Sequence, residues 1–207
     1  MKNLKTLFSS TIVAITITSS ISCKKDEPKV ETPIVVSEDT PVTDYDGNTY
    51  KTVKIGDQVW MAENLKATHT SDGTSVSEAY VYNDDESYLY DYGRLYTWEA
   101  AKKPFIEGWH LPSEAEWNIL ENTLGADVAT KLKVGGSSGF EAKLAGYRDY
   151  WGGYTDLNLW GVFWTSSVYT SDHSFVRNLF SFNNNFEHSG CGIIAGNSVR
   201  LIRVNSN

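Results

Sequence analysis

The sequence predicts an α+β domain: short strands joined by Gly-rich turns, two to three helices and long loops. Three observations lead there. Apolar and polar residues alternate in short runs beside turn residues, as in Thr49-Tyr50-Lys51-Thr52-Val53-Lys54-Ile55 after Asp46-Gly47-Asn48, the period-2 mark of a half-buried strand. The stretch from Ser113 to Gly125 carries both a helix start and a helix stop. Aromatic residues make up 13% of the 207 residues, with seven Trp and twelve Tyr, while aliphatic runs are short. A small-stranded domain with an aromatic core has that composition; a helical bundle does not.

The totals also exclude function classes. The formal charge is −8, and the first 22 residues hold Lys2 and Lys5 but no acid, so the remainder is more acidic still. An acidic surface argues against nucleic acid and against electrostatic attraction to anionic lipid. The only cysteines are Cys23 and Cys191, which leaves no disulfide framework and no cysteine-rich metal site.

Taken in order, residues 1–22 read as a targeting segment. Lys2 and Lys5 form a positive start, and Leu7 to Ile21 is apolar but too short and too rich in Thr and Ser to span a membrane. Ser20-Ile21-Ser22-Cys23 resembles a bacterial lipobox, in the loose form of Bacteroidetes lipoproteins, which implies cleavage before Cys23 and lipidation of its thiol. Lys24-Lys25-Asp26-Glu27 is similar to the surface-export signal of such lipoproteins. Residues 23–41 are then a lipidated, Pro-rich linker, extended and stiff, and residues 42–207 are the domain. Acyl chains at Cys23, each buried CH₂ giving about 0.8 kcal/mol, would hold the protein to the outer membrane.

The domain opens on a hairpin. Val42 to Tyr45 and Thr49 to Ile55 flank an Asp-Gly turn. Gly56-Asp57 turns the chain again into Gln58-Val59-Trp60-Met61, and Glu63-Asn64 is a candidate polar network under the loops. Thr68 to Tyr90 is polar with no clear period, and loops of that length are usually functional or mobile. Asp84-Asp85-Glu86 raises calcium, but three adjacent acids cannot all point at one ion and no EF-hand spacing is present. A solvated acidic loop is the reading.

Gly93 to Lys103 reads as a helix with Leu95, Trp98 and Ala101 on one face, stopped by Pro104. A second helix spans Glu114–Leu124. Ahead of it stands Gly108-Trp109-His110-Leu111-Pro112-Ser113-Glu114-Ala115-Glu116-Trp117. Pro112 pushes Leu111 into extended backbone. Ser113 and Glu116 form a capping box, and Trp117, Leu120 and Leu124 make one apolar stripe. Gly125 is placed as a left-handed cap. Ala126–Leu132 is a short third helix. Strands then follow at Ala142–Arg148, Trp160–Ser167, Ser174–Phe182 and Phe186–His188, and Val199–Val204 closes the sheet. Between the first two lies an aromatic loop, Tyr150-Trp151-Gly152-Gly153-Tyr154.

The Trp109–Trp117 stretch resembles the central motif of the Fibrobacter succinogenes major paralogous domain (FISUMP type), a secreted and lipoprotein module. More distantly it is similar to the motif of the formylglycine-generating, sulfatase-modifying factor family. Trp60-Met61-Ala62-Glu63-Asn64-Leu65, Tyr92-Gly93-Arg94-Leu95-Tyr96-Thr97-Trp98, Phe163-Trp164-Thr165-Ser166-Ser167 and Ser198-Val199-Arg200-Leu201-Ile202-Arg203 match the first family in order. The resemblance implies a C-type-lectin-like, sulfatase-modifying-factor-like fold with a mixed, twisted sheet. It assigns Trp109, His110, Pro112, Ser113, Glu116 and Trp117 to a structural motif.

No constellation for catalysis stands out. His69, His110, His173 and His188 lack metal-ligand spacing. Ser166-Ser167 sits in no nucleophile elbow, and no phosphate loop is present. The oxidase chemistry of the distant family uses a cysteine pair near the C-terminus with copper; here only Cys191 falls there, and one thiolate cannot make that site. No enzyme activity, metal or cofactor is expected. The leading expectation is a lipid-anchored, surface-exposed outer-membrane lipoprotein whose domain binds a glycan or protein through loops. Tyr150, Trp151, Tyr154, Asp149 and Asp156 are its candidate contacts: rings for sugar faces, carboxylates for hydroxyls. A structural envelope component and a degenerate sulfatase-modifying-type oxidase are the alternatives.

Overall fold

A computed structural model of the protein describes residues 36–204. The expected signal peptide and the lipidation site Cys23 lie outside the described residues. The chain forms strand β1 (Val36–Thr43), β2 (Thr49–Ile55), β3 (Gln58–Met61), β4 (Ala79–Tyr80), helix α1 (Leu89–Tyr92), β5 (Leu95–Tyr96), α2 (Trp98–Ala101), α3 (Glu114–Leu124) and α4 (Val128–Leu132). There follow β6 (Ala145–Arg148), β7 (Tyr154–Leu157), β8 (Trp160–Thr170), β9 (His173–Phe180), β10 (Phe186–Gly192), β11 (Asn197–Ser198) and β12 (Ile202–Val204).

The fold is α+β with a mixed, strongly curled sheet. A smaller antiparallel sheet runs β1-β2-β3-β12. The larger runs β10-β9-β8-β11-β5-β4, with the β6–β7 hairpin attached to β8. Its pairings are antiparallel except β8 with β11 and β6 with β8, which are parallel. Successive residues of β8 therefore face two cores. Val162 and Trp164 enter one with Trp98, Trp109 and Leu111. Phe163 enters the other with Trp60, Trp117, Leu120, Leu124 and Phe140.

The capped motif straddles these cores. Trp109 lies in the first and Trp117 in the second, 8% and 0% exposed, with the Trp117 ring 6.0 Å from Phe163 and 4.6 Å from Trp60. The Ser113 hydroxyl accepts from Glu116 N–H at 3.2 Å, and Glu116 Oε2 accepts from Ser113 N–H at 2.7 Å, the expected capping box. His110 pairs its backbone with Ile202 in β12, and the carbonyl of buried Pro112 accepts from Ser166 N–H. Arg177 of β9, 2% exposed, grips α3 through Glu114, Asn118 and Glu121.

Several expectations need correction. The first strand begins at Val36, so the end of the expected linker belongs to the sheet. Its register shifts between Asp39 and Val42, a bulge that accommodates Pro41 without its missing N–H. The helix expected over Gly93–Lys103 is α2 alone. Leu95 and Tyr96 are held as a strand between β4 and β11, and ladder pairing on both sides overrides a helical period. Residues 68–92 are far from patternless: they hold β4, two 3₁₀ turns and α1. Side-chain bonds from Thr70, Asp72 and Asp85 to each other and to nearby backbone organise it, and such local bonds leave no hydrophobic period to read. The third helix starts at Val128. Gly125 has φ 65° but ψ −143°, positive φ without the left-handed helical cap. The closing strand expected over Val199–Val204 is β12 alone, in the smaller sheet, and β11 ahead of it joins the larger.

Candidate functional site

Asp149 builds the aromatic turn. Its Oδ1 accepts from the backbone N–H of Trp151 and of Gly153, both at 2.8 Å. Its own N–H and C=O bond Gly153 O and Gly152 N–H. The turn between β6 and β7 is thus pinned from within. At its tip Tyr150 is 60% and Trp151 81% exposed, their rings 4.6 Å apart. Two large aromatic side chains are therefore kept in water on a braced turn, where packing into either core is not available to them.

Tyr154 goes the other way. Its hydroxyl donates to Asp84 Oδ1 at 2.5 Å, and its ring lies 5.5 Å from Tyr82. The row continues from Tyr82 to Tyr88 at 5.5 Å and to Tyr92 at 6.0 Å. Tyr92 donates to Asn158 Oδ1. Burial, and then the Asp84 carboxylate, push the Tyr154 phenol up to about 12, so it stays a donor at neutral pH. The aromatic loop and the polar loop, read separately in the sequence, form one surface. Arg148 stands within it, its guanidinium 4.0 Å from the Tyr80 ring centroid and 5.8 Å from that of Tyr154.

Of the expected contact residues, Tyr150 and Trp151 stand together and exposed. Tyr154 is half-buried in the tyrosine row, and Asp149 is engaged by the turn. Asp156 lies at φ 61° on β7, opposite the close approach at Gly146, where an added Cβ would sit 2.1 Å from Thr155 O. Arg148 and the tyrosines of residues 80–92 were not picked out in the sequence. The recurrence of Tyr at 80, 82, 88, 90 and 92 in an otherwise polar loop is the signal that could have found them.

The remaining candidates are dispersed. Each histidine meets a carboxylate: His69 Asp46, His110 Glu116, His173 Asp172 and His188 Glu114. Among the described residues no group of three His, Cys, Asp or Glu is placed to hold a metal. Burial pushes the Cys191 thiol up, with Asn197 Nδ2 3.3 Å from its sulfur. The Glu63-Asn64 network centres on Arg200, which is fully buried. Arg200 donates to Asn64 Oδ1 and to the carbonyls of Met61, Phe140 and Glu141 at 2.6–2.9 Å, tying two of the motif segments to residues 140–141.

A groove of about 720 Å³ also opens between β2, residues 62–66 and residues 139–143, with Tyr90, Lys51 and Lys143 on its walls. Within it Glu63 is held by Lys66 at 3.0 Å and by Lys51 N–H at 3.0 Å.

In comparison with known families, residues 53–203 match the Fibrobacter succinogenes major domain. No curated protein and no solved structure matches. The matched span runs from β2 through the capped helix to β12 and covers both cores. The chain therefore belongs to the Fibrobacter succinogenes major domain family.

Proposed function

We propose that this chain is a lipid-anchored lipoprotein of the outer membrane, exposed at the cell surface, whose domain captures glycan without carrying out a reaction. The observation that carries the recognition role is the Tyr150–Trp151 pair. Contiguous exposed apolar surface marks a contact site where single exposed side chains do not, and here an Asp149-braced turn holds two large rings side by side in water. A ring face stacks on the apolar face of a pyranose, and nearby hydroxyls and carboxylates bond its rim. A pre-ordered surface loses little entropy on binding.

The anchor rests on sequence: Lys2, Lys5, the apolar stretch and Cys23 after Ser22. We read the curled mixed sheet with its capped helix as the C-type-lectin-like arrangement, in which loops at one end of the sheet present the ligand surface. A purely structural envelope role gives no reason for the exposed pair. An oxidase of the sulfatase-modifying type needs a second soft ligand beside Cys191, and its nearest polar partner is the Asn197 amide.

A glycan array tests the reading. Wild type should bind a defined set of glycans and Trp151→Ala should lose them. Equal binding by both, or none by wild type, would count against it.

A further inference from the structure

Arg148 stands on this surface against the Tyr80 ring and the Tyr154 hydroxyl, with no carboxylate of the described residues paired to its guanidinium. Among the described residues it forms no ion pair, and its Nε is buried without a hydrogen-bond partner. Arg203 Nε is likewise without a partner, but Arg94, Arg177, Arg200 and Arg203 all reach carboxylates or carbonyls. A buried donor left unpaired costs free energy, and the outer edge of the fork, formed by the two Nη groups, meets no carboxylate of the described residues. The nearby carboxylates take neutral donors on one oxygen rather than the guanidinium: Asp84 Oδ1 the Tyr154 hydroxyl, and Asp149 Oδ1 the Trp151 and Gly153 N–H groups. The Tyr80 ring, 4.0 Å away, holds the guanidinium plane in place.

Gly152 adds an independent observation. It has φ +93°, and a Cβ there would lie 2.9 Å from Arg148 Nη2. The turn thus keeps a side chain away from the one edge of the fork that faces it. The residue before it is Trp151, with its exposed ring.

We propose that Arg148 is the anchor for a carboxylate on the bound glycan, which makes the ligand an acidic, uronate-containing oligosaccharide. The inference rests on the glycan reading above and narrows it. The planar fork matches a carboxylate with two parallel hydrogen bonds, while the sugar ring stacks on Trp151 and Tyr150. An acidic peptide fits less well: β6, which carries Arg148, is paired on both sides, to β7 and β8, so strand addition beside Arg148 is blocked and only the far edge of β7 is open.

The test is direct binding of the full chain to an oligogalacturonate, to the same oligosaccharide fully methyl-esterified, and to a poly-aspartate peptide of similar length. Wild type should prefer the acid over the ester by about tenfold or more, the loss expected for a charge-assisted pair. Arg148→Gln should abolish that preference, Arg148→Lys should restore part of it, and Trp151→Ala should weaken acid and ester alike. Equal binding of acid and ester would overturn the carboxylate anchor and leave glycan recognition standing. Absence of both would remove the glycan reading as well. Tighter binding of poly-aspartate would replace a sugar by a peptide. If Arg148→Gln fails to fold, as its denaturation midpoint will show, the acid-against-ester comparison on wild type decides alone.

Discussion

The Tyr154 hydroxyl and the Asp84 carboxylate, separated by 70 positions in the chain, meet at 2.5 Å and join two loops into one surface. That contact is what turns a braced aromatic turn and a tyrosine-bearing loop into a continuous platform. Tyr154→Phe keeps the ring against Tyr82 and removes only the bond. Because Asp84 is exposed, the expected loss of stability is small, no more than about 1 kcal/mol. Amide exchange across residues 82–88 should nevertheless accelerate. Unchanged exchange there would mean that the loop is held by ring packing alone.

The helix cap gives a second prediction. Ser113→Ala removes an acceptor for Glu116 N–H and should cost about 1 kcal/mol in urea denaturation. The same site sets a pH dependence. Burial alone would raise the Glu116 carboxyl, but Ser113 N–H, His110 and the Ser113 hydroxyl override it and hold it below the usual range. A carboxyl depressed in the folded state adds stability above its unfolded pKa and loses it as pH falls through the folded one. Wild type should therefore lose stability below about pH 4.5. Ser113→Ala should lose less over that interval, and parallel curves would remove the cap from the account.

Arg200 is the third. Fully buried and bonded to three carbonyls and Asn64, it cannot be replaced by an apolar chain without stranding its acceptors. Arg200→Met should destabilise by about 3 kcal/mol or more, and a melting temperature within a degree or two of wild type would contradict this.

How much of this was legible in the sequence follows a physical line. The cap at Ser113 was readable because its signal is local: four consecutive positions specify both hydrogen bonds. The β1–β2 hairpin was readable from its Asp-Gly turn and alternating run, although β1 starts earlier than the prolines of the linker suggested. Leu95 and Tyr96 were misread because their strand exists only through β4 and β11, partners distant in the chain. β11 was missed for the same reason, since it exists only through β5 and β8. At the site, Tyr150 and Trp151 were found by their bulk in a Gly-rich turn. Asp149 was named as a ligand contact, while in the fold it supports the turn that presents the rings. Arg148 was passed over because nothing in a single sequence tells an answered guanidinium from an unanswered one.

The anchor yields the fourth prediction. Cys23→Ser should abolish incorporation of labelled palmitate and release the protein from the membrane fraction. Retention of both label and membrane association in that variant would exclude lipidation at Cys23.

The most direct test of the recognition surface uses its own chromophore. Trp60, Trp98, Trp109, Trp117 and Trp164 are buried and Trp160 is partly buried, while Trp151 is 81% exposed, so acrylamide quenching of tryptophan emission reports chiefly on Trp151. Titrating an array-selected glycan into the protein should shield that emission in a saturable way, and Trp151→Phe should remove both the quenchable component and its protection. If the glycan binds while the quenching of wild type stays unchanged, the ligand sits elsewhere and the Tyr150–Trp151 turn is not the recognition site.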